Sequence, residues 1–295
     1  MTPAADPRPI GVFDSGVGGL TVLAELQRRL PDESTVYLGD NARAPYGPRP
    51  ADEVRRFTLE CVAWLLRQDV KLLVLACNTA TARALDLVRA GAEIPVVGVI
   101  RPGAVAAVAA TRTRHVAVIA TAGTVESGAY ADAIGEADAA ATVRQRACPD
   151  LVPMVEAGVT DGLRAETVVR GYLEPLFAED NSIDTLLLGC THYPLLRPVI
   201  ERVAGPGVHV VDSAFTTALA VEDLLDALGG RAEGPATHRV ATTGAIEPFV
   251  AVAERLFGDR LPRVESVSVE SAAAGIGAVG QEVESVASSP RPGLP

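Results

Sequence analysis

The chain has 295 residues, which is long for one hydrophobic core and comfortable for two α/β domains. Hydrophobic residues make up 48% and charged residues 21%, as in globular proteins; a net charge of −11 argues against a nucleic-acid or anionic-membrane surface as the main partner, but not against a small acidic substrate in a local pocket. No apolar run reaches the length of a membrane span, Met1–Pro9 has no signal-peptide core, and Cys61, Cys77, Cys148 and Cys190 lack framework spacing, so the expectation is a cytoplasmic protein with reduced thiols.

Apolar runs predict strands over Pro9–Phe13, Thr35–Leu38, Lys71–Ala76, Val96–Ile100, His115–Ala120, Thr142–Arg146, Thr185–Gly189, Val208–Val211 and Arg239–Thr242. Segments with 3.6-residue spacing lie between them, among them Leu20–Leu30, Ala51–Gln68, Thr79–Ala90 and Asp161–Ala178. This βαβα rhythm predicts mostly parallel, doubly wound sheets. The two halves also echo each other. Val12-Phe13-Asp14-Ser15-Gly16 resembles Val210-Val211-Asp212-Ser213-Ala214, and each half has a strand that runs into a cysteine. Two pseudo-symmetric domains around a cleft are the expected architecture. Ser285–Pro295, rich in Ser, Pro and Gly without periodicity, reads as a disordered tail.

The two cysteine sites carry the chemistry. Leu72-Leu73-Val74-Leu75-Ala76-Cys77-Asn78-Thr79 and Leu186-Leu187-Leu188-Gly189-Cys190-Thr191-His192 each end a strand on a thiol and then present polar residues. The carboxyl end of a parallel strand faces the crevice where open α/β sheets bind ligands. A helix N-terminus at the same place favours thiolate over thiol. Two such thiols facing one small substrate suit the transfer of a proton from one face of a carbon to the other. His192, two residues beyond Cys190, is placed to stabilise a thiolate or relay a proton.

Other readings of these residues are weaker. A lone buried cysteine is ordinarily a small hydrophobe, and Cys61 and Cys148 fit that role. No Cys-x-x-Cys supports a redox pair, and only His192 lies near a thiol, which disfavours a metal site. Gly16-Val17-Gly18-Gly19 lacks the third glycine of a dinucleotide fingerprint, since position 21 is Thr21. It reads instead as a turn that brings backbone amides and Asp14-Ser15 close to a ligand. Lys71 is the only lysine, at the start of its strand and away from the crevice, so a Schiff-base cofactor such as pyridoxal phosphate is nearly excluded.

Five segments, in order, resemble the glutamate racemases, cofactor-independent enzymes of bacterial cell-wall synthesis. They are Gly11–Leu20, Asp40–Gly47, Ala76–Ala82, Pro95–Ile100 and Gly189–Leu196, and the resemblance covers most of residues 10–245. It implies that Cys77 and Cys190 are the two proton donor-acceptors, the first acting on D-glutamate and the second on L-glutamate. It further implies that Asp14, Ser15, Tyr46, Gly47, Asn78, Thr79, Thr191 and His192 contact substrate, with Asp14 and His192 also assisting the thiols. Glu156 matches a family carboxylate near the site, and Thr121 and Thr124 border the pocket in this reading. No cofactor and no metal are implied.

The same resemblance divides the chain into residues 1–98 plus 213–284 as one domain and 99–212 as the other, with the active site in the cleft between them. It also implies a homodimer. Aspartate racemases share the two-cysteine plan, but those relatives tend to carry Glu where this chain has His192 and His where it has Thr81 or its neighbour, so both positions favour glutamate. Some family members also inhibit DNA gyrase, which makes a gyrase-binding protein the non-enzymatic alternative, although no residue pattern here demonstrates it.

Overall fold

The computed structural model describes residues 5–258 and 261–269; the tail expected over Ser285–Pro295 lies outside the described residues. The chain forms β1 (Ile10–Asp14), α1 (Leu20–Arg29), β2 (Thr35–Gly39), α2 (Ala51–Leu66), β3 (Leu72–Leu75), α3 (Asn78–Gly91) and β4 (Val96–Gly98). There follow α4 (Ile100–Ala110), β5 (His115–Ala120), α5 (Ala122–Glu126), α6 (Ala129–Ala137), β6 (Thr142–Ala147), α7 (Leu151–Glu156), α8 (Gly162–Glu179) and β7 (Thr185–Gly189). A single 3-10 turn (Tyr193–Leu196) leads into α9 (Arg197–Ala204), β8 (His209–Asp212), α10 (Ser213–Leu228), β9 (His238–Thr242), α11 (Ile246–Phe257) and β10 (Val264–Ser266).

The strands make two sheets, ordered β10-β9-β2-β1-β3-β4 and β6-β5-β7-β8, and every strand pairing is parallel. Parallel strands covered on both faces read as unbroken apolar runs, which is why β1, β2, β3 and β7 are visible as such in the sequence. In β3 the side chains alternate between two cores. Leu72 and Val74 pack with α1 and α10 on one face; Leu73 and Leu75 pack with α2 and α3 on the other. The second sheet is covered in the same way, with Leu186 and Leu188 against α8 and α9, and Leu187 against α4 and α6. The chain crosses to the second sheet after Gly98 and returns after Asp212, where α10 sends Ala214, Ala218, Val221 and Leu225 into the first sheet's core.

The orders β2-β1-β3-β4 and β6-β5-β7-β8 are topologically equivalent, so the pseudo-symmetry is present. It does not rest on the Asp-Ser echo. The counterpart of β1 is β5, whereas Asp212-Ser213 ends the edge strand β8. Asp212 is occupied there as the N-cap of α10, accepting from the Ala214 and Phe215 N–H groups at 3.1 Å each, and as the partner of Arg197. The cysteine-bearing strands β3 and β7, by contrast, are true counterparts. Several strand ends differ from expectation by a residue or two, and one strand, β10, is additional. Val99 and Ile100 leave the fourth strand because α4 begins there, and β10 is too short at three residues to have given a period.

Lys71 lies just before β3, at the opposite end of that strand from Cys77. Its Nζ forms an ion pair with Glu33 at 2.7 Å, both side chains at most 3% exposed, and donates to the carbonyls of Asp6 and Gly230 at 2.7 Å. Glu33 in turn accepts from the Ala232 N–H at 2.8 Å. One buried pair thus ties the N-terminal approach and the α10–β9 connection to the sheet. Lys71→Met should cost about 3–5 kcal/mol in urea unfolding because it strands a buried carboxylate, and Lys71→Met with Glu33→Leu should recover a large part of that loss.

Candidate active site

The carboxyl ends of both sheets open on one cleft. Ser15 and Gly16 from the β1 loop, Ala44–Gly47, Cys77–Thr79, Thr121, Val152, Glu156 and Cys190–His192 line it. Strand register explains the convergence. Leu75 pairs with Phe13 and with Gly98, and Ala120 with Gly189, so the residues that follow these strand ends share one edge.

Cys77 is the N-cap of α3 and accepts from the Ala80 N–H at 3.4 Å, while its thiol donates to Ser15 Oγ at 3.4 Å. Burial pushes this thiol up to about 12; the charges of Asp14 and Cys190 add to the shift, and the hydrogen bonds with Ser15 and Ala80 oppose it. In the resting site Cys77 therefore holds its proton at neutral pH.

Cys190 stands in different surroundings. Its Sγ lies 3.9 Å from His192 Nδ1, and His192 Nε2 lies 3.0 Å from Glu156 Oε1. Burial opposes charge on His192, but the hydrogen bonds to Cys190 and Glu156 outweigh it and raise the imidazole to about 10. One thiol thus has a buried carboxyl group nearby and the other a cation.

The β1 loop is seated by a close approach. A Cβ on Gly18 would lie 2.3 Å from Thr191 Oγ1 and 2.5 Å from His192 Nδ1, so only glycine fits between the two halves. Thr21 Oγ1 fastens the contact, donating to Gly18 O at 2.8 Å and Thr191 O at 3.0 Å. On the other side, the hydroxyls of Thr79, Thr121 and Thr124 lie within 2.9–3.3 Å of one another, and the Gly123 N–H donates to Gly47 O at 2.9 Å.

Most of the residues implied by the resemblance meet at this cleft, and the exceptions are informative. Asp14 does not line it. The side chain is fully buried beneath the loop, Oδ2 accepts from the Gly16 N–H at 2.9 Å, Oδ1 has no partner, and burial raises its pKa. Tyr46 lines the cleft, but its hydroxyl donates to buried Asp40, which also accepts from Arg43 Nε at 2.7 Å and Thr243 Oγ1 at 2.5 Å. Thr81 faces away from the cleft and donates to Leu75 O at 2.9 Å, so the preference for glutamate inferred from that position loses its geometric basis. Thr124 sits behind Thr79 and Thr121. Cys61 and Cys148 are buried in the cores and do not line the cleft.

The sequence reading missed Tyr130, whose buried hydroxyl donates to Asn78 Oδ1 at 2.6 Å and leaves Asn78 Nδ2 without a partner. It also missed Tyr37, which donates to Gly16 O at 2.8 Å. Neither has a local sequence signal, because each partner lies 21 or more residues away. Among the described residues, no helix is long and apolar enough to cross a membrane.

Fold and cleft together are those of a two-sheet α/β protein with paired thiols at the strand ends. The chain belongs to the Asp/Glu/hydantoin racemase family, whose model matches residues 11–222. It is 49% identical to the glutamate racemase of Shouchella clausii over 265 residues, 89% of this chain and 95% of that one. The crystal structure of glutamate racemase isoform RacE1 from Bacillus anthracis is similar with a TM-score of 0.85 at 44% identity, covering 88% of this chain and 97% of that chain. A glutamate racemase structure from Francisella tularensis, in complex with D-glutamate, matches with a TM-score of 0.83 at 34% identity, covering 90% and 99%.

Two outcomes follow from the packing. Gly18→Ala should displace Thr191 and His192, lowering turnover at least about tenfold and stability by about 1–3 kcal/mol in urea unfolding. His192 should titrate well above 6.5 by imidazole NMR. Because its folded value is raised, the stability it contributes is fully present below about pH 6.5 and is lost as pH rises through about 10; Glu156→Gln should lower the midpoint.

Proposed function

We propose that the protein is a glutamate racemase that moves the α-proton between Cys190 and Cys77 across its cleft. The observation that supports this most directly is the placement of two thiols, from topologically equivalent strands of separate sheets, on one small-molecule cleft. The names of the relatives point to glutamate as the substrate.

In the L-to-D direction, Cys190 starts as the thiolate beside the His192 cation and takes the Cα proton. The electron pair of the C–H bond passes into the substrate α-carboxylate. The Cys77 thiol then delivers its proton to the opposite face of Cα, leaving Cys77 as thiolate and Cys190 as thiol. The reverse reaction, or exchange with water, restores the starting form. Ser15, Asn78, Thr79, Thr191 and the backbone at Tyr46-Gly47 surround the substrate. The Asn78 amide and the N-terminus of α3 are suited to the charge that builds on the carboxylate. Asp14 acts from beneath, through Cys77 and the loop, rather than by contact with substrate.

In this reading residues 1–98 plus 213–284 and residues 99–212 form the two domains, and their closure excludes water from the cleft. Work in the cytoplasm as a homodimer, supplying D-glutamate to peptidoglycan, rests on the family resemblance alone. No observation favours a gyrase-binding role.

Deuterium incorporation at Cα, followed by NMR in heavy water with no added cofactor, tests the reaction. L-Glutamate should exchange and lose optical rotation, whereas L-aspartate should not. Cys77→Ser and Cys190→Ser should each reduce racemisation by about 10²–10⁴-fold. Near-normal turnover by either variant would sink the two-thiol mechanism, and exchange on aspartate alone would overturn the substrate.

A further inference from the structure

The carboxylate that holds His192 is itself held from the other sheet. Glu156 is the last residue of α7, a helix of six residues that is too short to fix its own position. Its side chain is 40% exposed, and among the described residues its one hydrogen bond is to His192. The orientation of this carboxylate therefore depends on where the end of α7 is anchored. Its backbone carbonyl, one of the orphan acceptors of a helix C-terminus, accepts from Arg255 Nη1 at 2.7 Å.

Arg255 belongs to α11, which follows β9 of the first sheet. Two further contacts make this a docking point. Gly158, with φ of +79°, lies under the Arg255 side chain, where a Cβ would come within 2.7 Å of Arg255 Cδ. The neighbouring Leu256 packs against the cores of both sheets. The end of α11 thus grips the end of α7 by a hydrogen bond, by stacking of the arginine stem and by a shared apolar contact.

We propose that Arg255 is a positioning residue for the thiol chemistry: by holding the Glu156 carbonyl it sets the Glu156 carboxylate on His192 and, through the imidazole, fixes the surroundings of Cys190. The proposal rests on the racemase reading above. Because Arg255 is exposed and, among the described residues, donates to one carbonyl, its loss should change the site more than the stability of the fold.

Arg255→Met keeps the aliphatic stem over Gly158 and removes the donors. In the full-length protein, kcat on L-glutamate should fall about 10- to 100-fold, the scale of a small misplacement of a reacting group, with KM changed less than twofold. Arg255→Lys, which restores a donor, should recover most of the rate. In a Glu156→Gln background, Arg255→Met should have no further effect, because the two residues act in series. An unchanged kcat, or an equal fractional loss in both backgrounds, would overturn the proposal. If the wild-type protein does not racemise glutamate, the imidazole titration of His192 decides the matter independently: a midpoint shifted by Arg255→Met supports the coupling, and an unmoved midpoint refutes it.

Discussion

The two halves meet where the backbone of a glycine packs directly on side chains from the other half. Gly18 sits against Thr191 and His192 at distances that no Cβ could adopt, and the Thr21 hydroxyl spans the same contact. This approach places the Ser15–Gly16 turn, and with it the Cys77 partner Ser15, beside the Cys190–His192 segment. The threonine hydroxyls of α3 and α5 close the opposite flank without large side chains. Small residues on both flanks leave room for the N-terminus of α3 and for both thiols on one cleft.

Support for the lining comes from one layer further out, where buried polar groups are used to fix loops. Asp40 gathers Arg43, Tyr46 and Thr243, so the Ala44–Gly47 loop is tied both to α2 and to the segment after β9. Tyr130 orients the Asn78 amide, and Tyr37 fixes the Gly16 carbonyl. Each of these hydrogen bonds satisfies a buried acceptor that would otherwise cost about 1–3 kcal/mol. Among the buried groups left without partners, Asn78 Nδ2 and Asp14 Oδ1 lie at or just below the cleft wall, whereas Gln145 Oε1 and Thr217 Oγ1 lie away from it. The free Asn78 N–H group is thus available to a ligand in the cleft.

Much of this was legible in the sequence because parallel strands buried on both faces must be apolar without interruption, and the polar residues that end them stand out. Leu72–Leu75 before Cys77 and Leu186–Leu188 before Cys190 are the clearest cases. What escaped was whatever depends on chain separation or on the direction of a side chain. Tyr46 was legible as a cleft residue, but not the turn of its hydroxyl toward Asp40. Thr81 looked like a specificity position until its hydroxyl proved to close a bond to Leu75 O. The Asp-Ser echo shows a different limit. An Asp that caps a following helix is favoured after any strand, so Asp212-Ser213 repeats the chemistry of a cap without repeating the place of Asp14-Ser15 in the sheet.

The unequal surroundings of the two thiols bear on how a racemase can work at all. Enantiomers have equal free energies, so kcat/KM must be the same in both directions, whatever the protein does to either thiol. Asp14 and burial keep the proton on Cys77, whereas Cys190 faces the His192 cation backed by Glu156. In the proposed mechanism this asymmetry cannot favour one product. It sets which of the two singly protonated forms the free protein rests in, and hence which enantiomer it meets ready to react. The other enantiomer must bind after the proton has moved, and the groups that tune that resting balance reach back through Glu156 to the α11 contact on the first sheet.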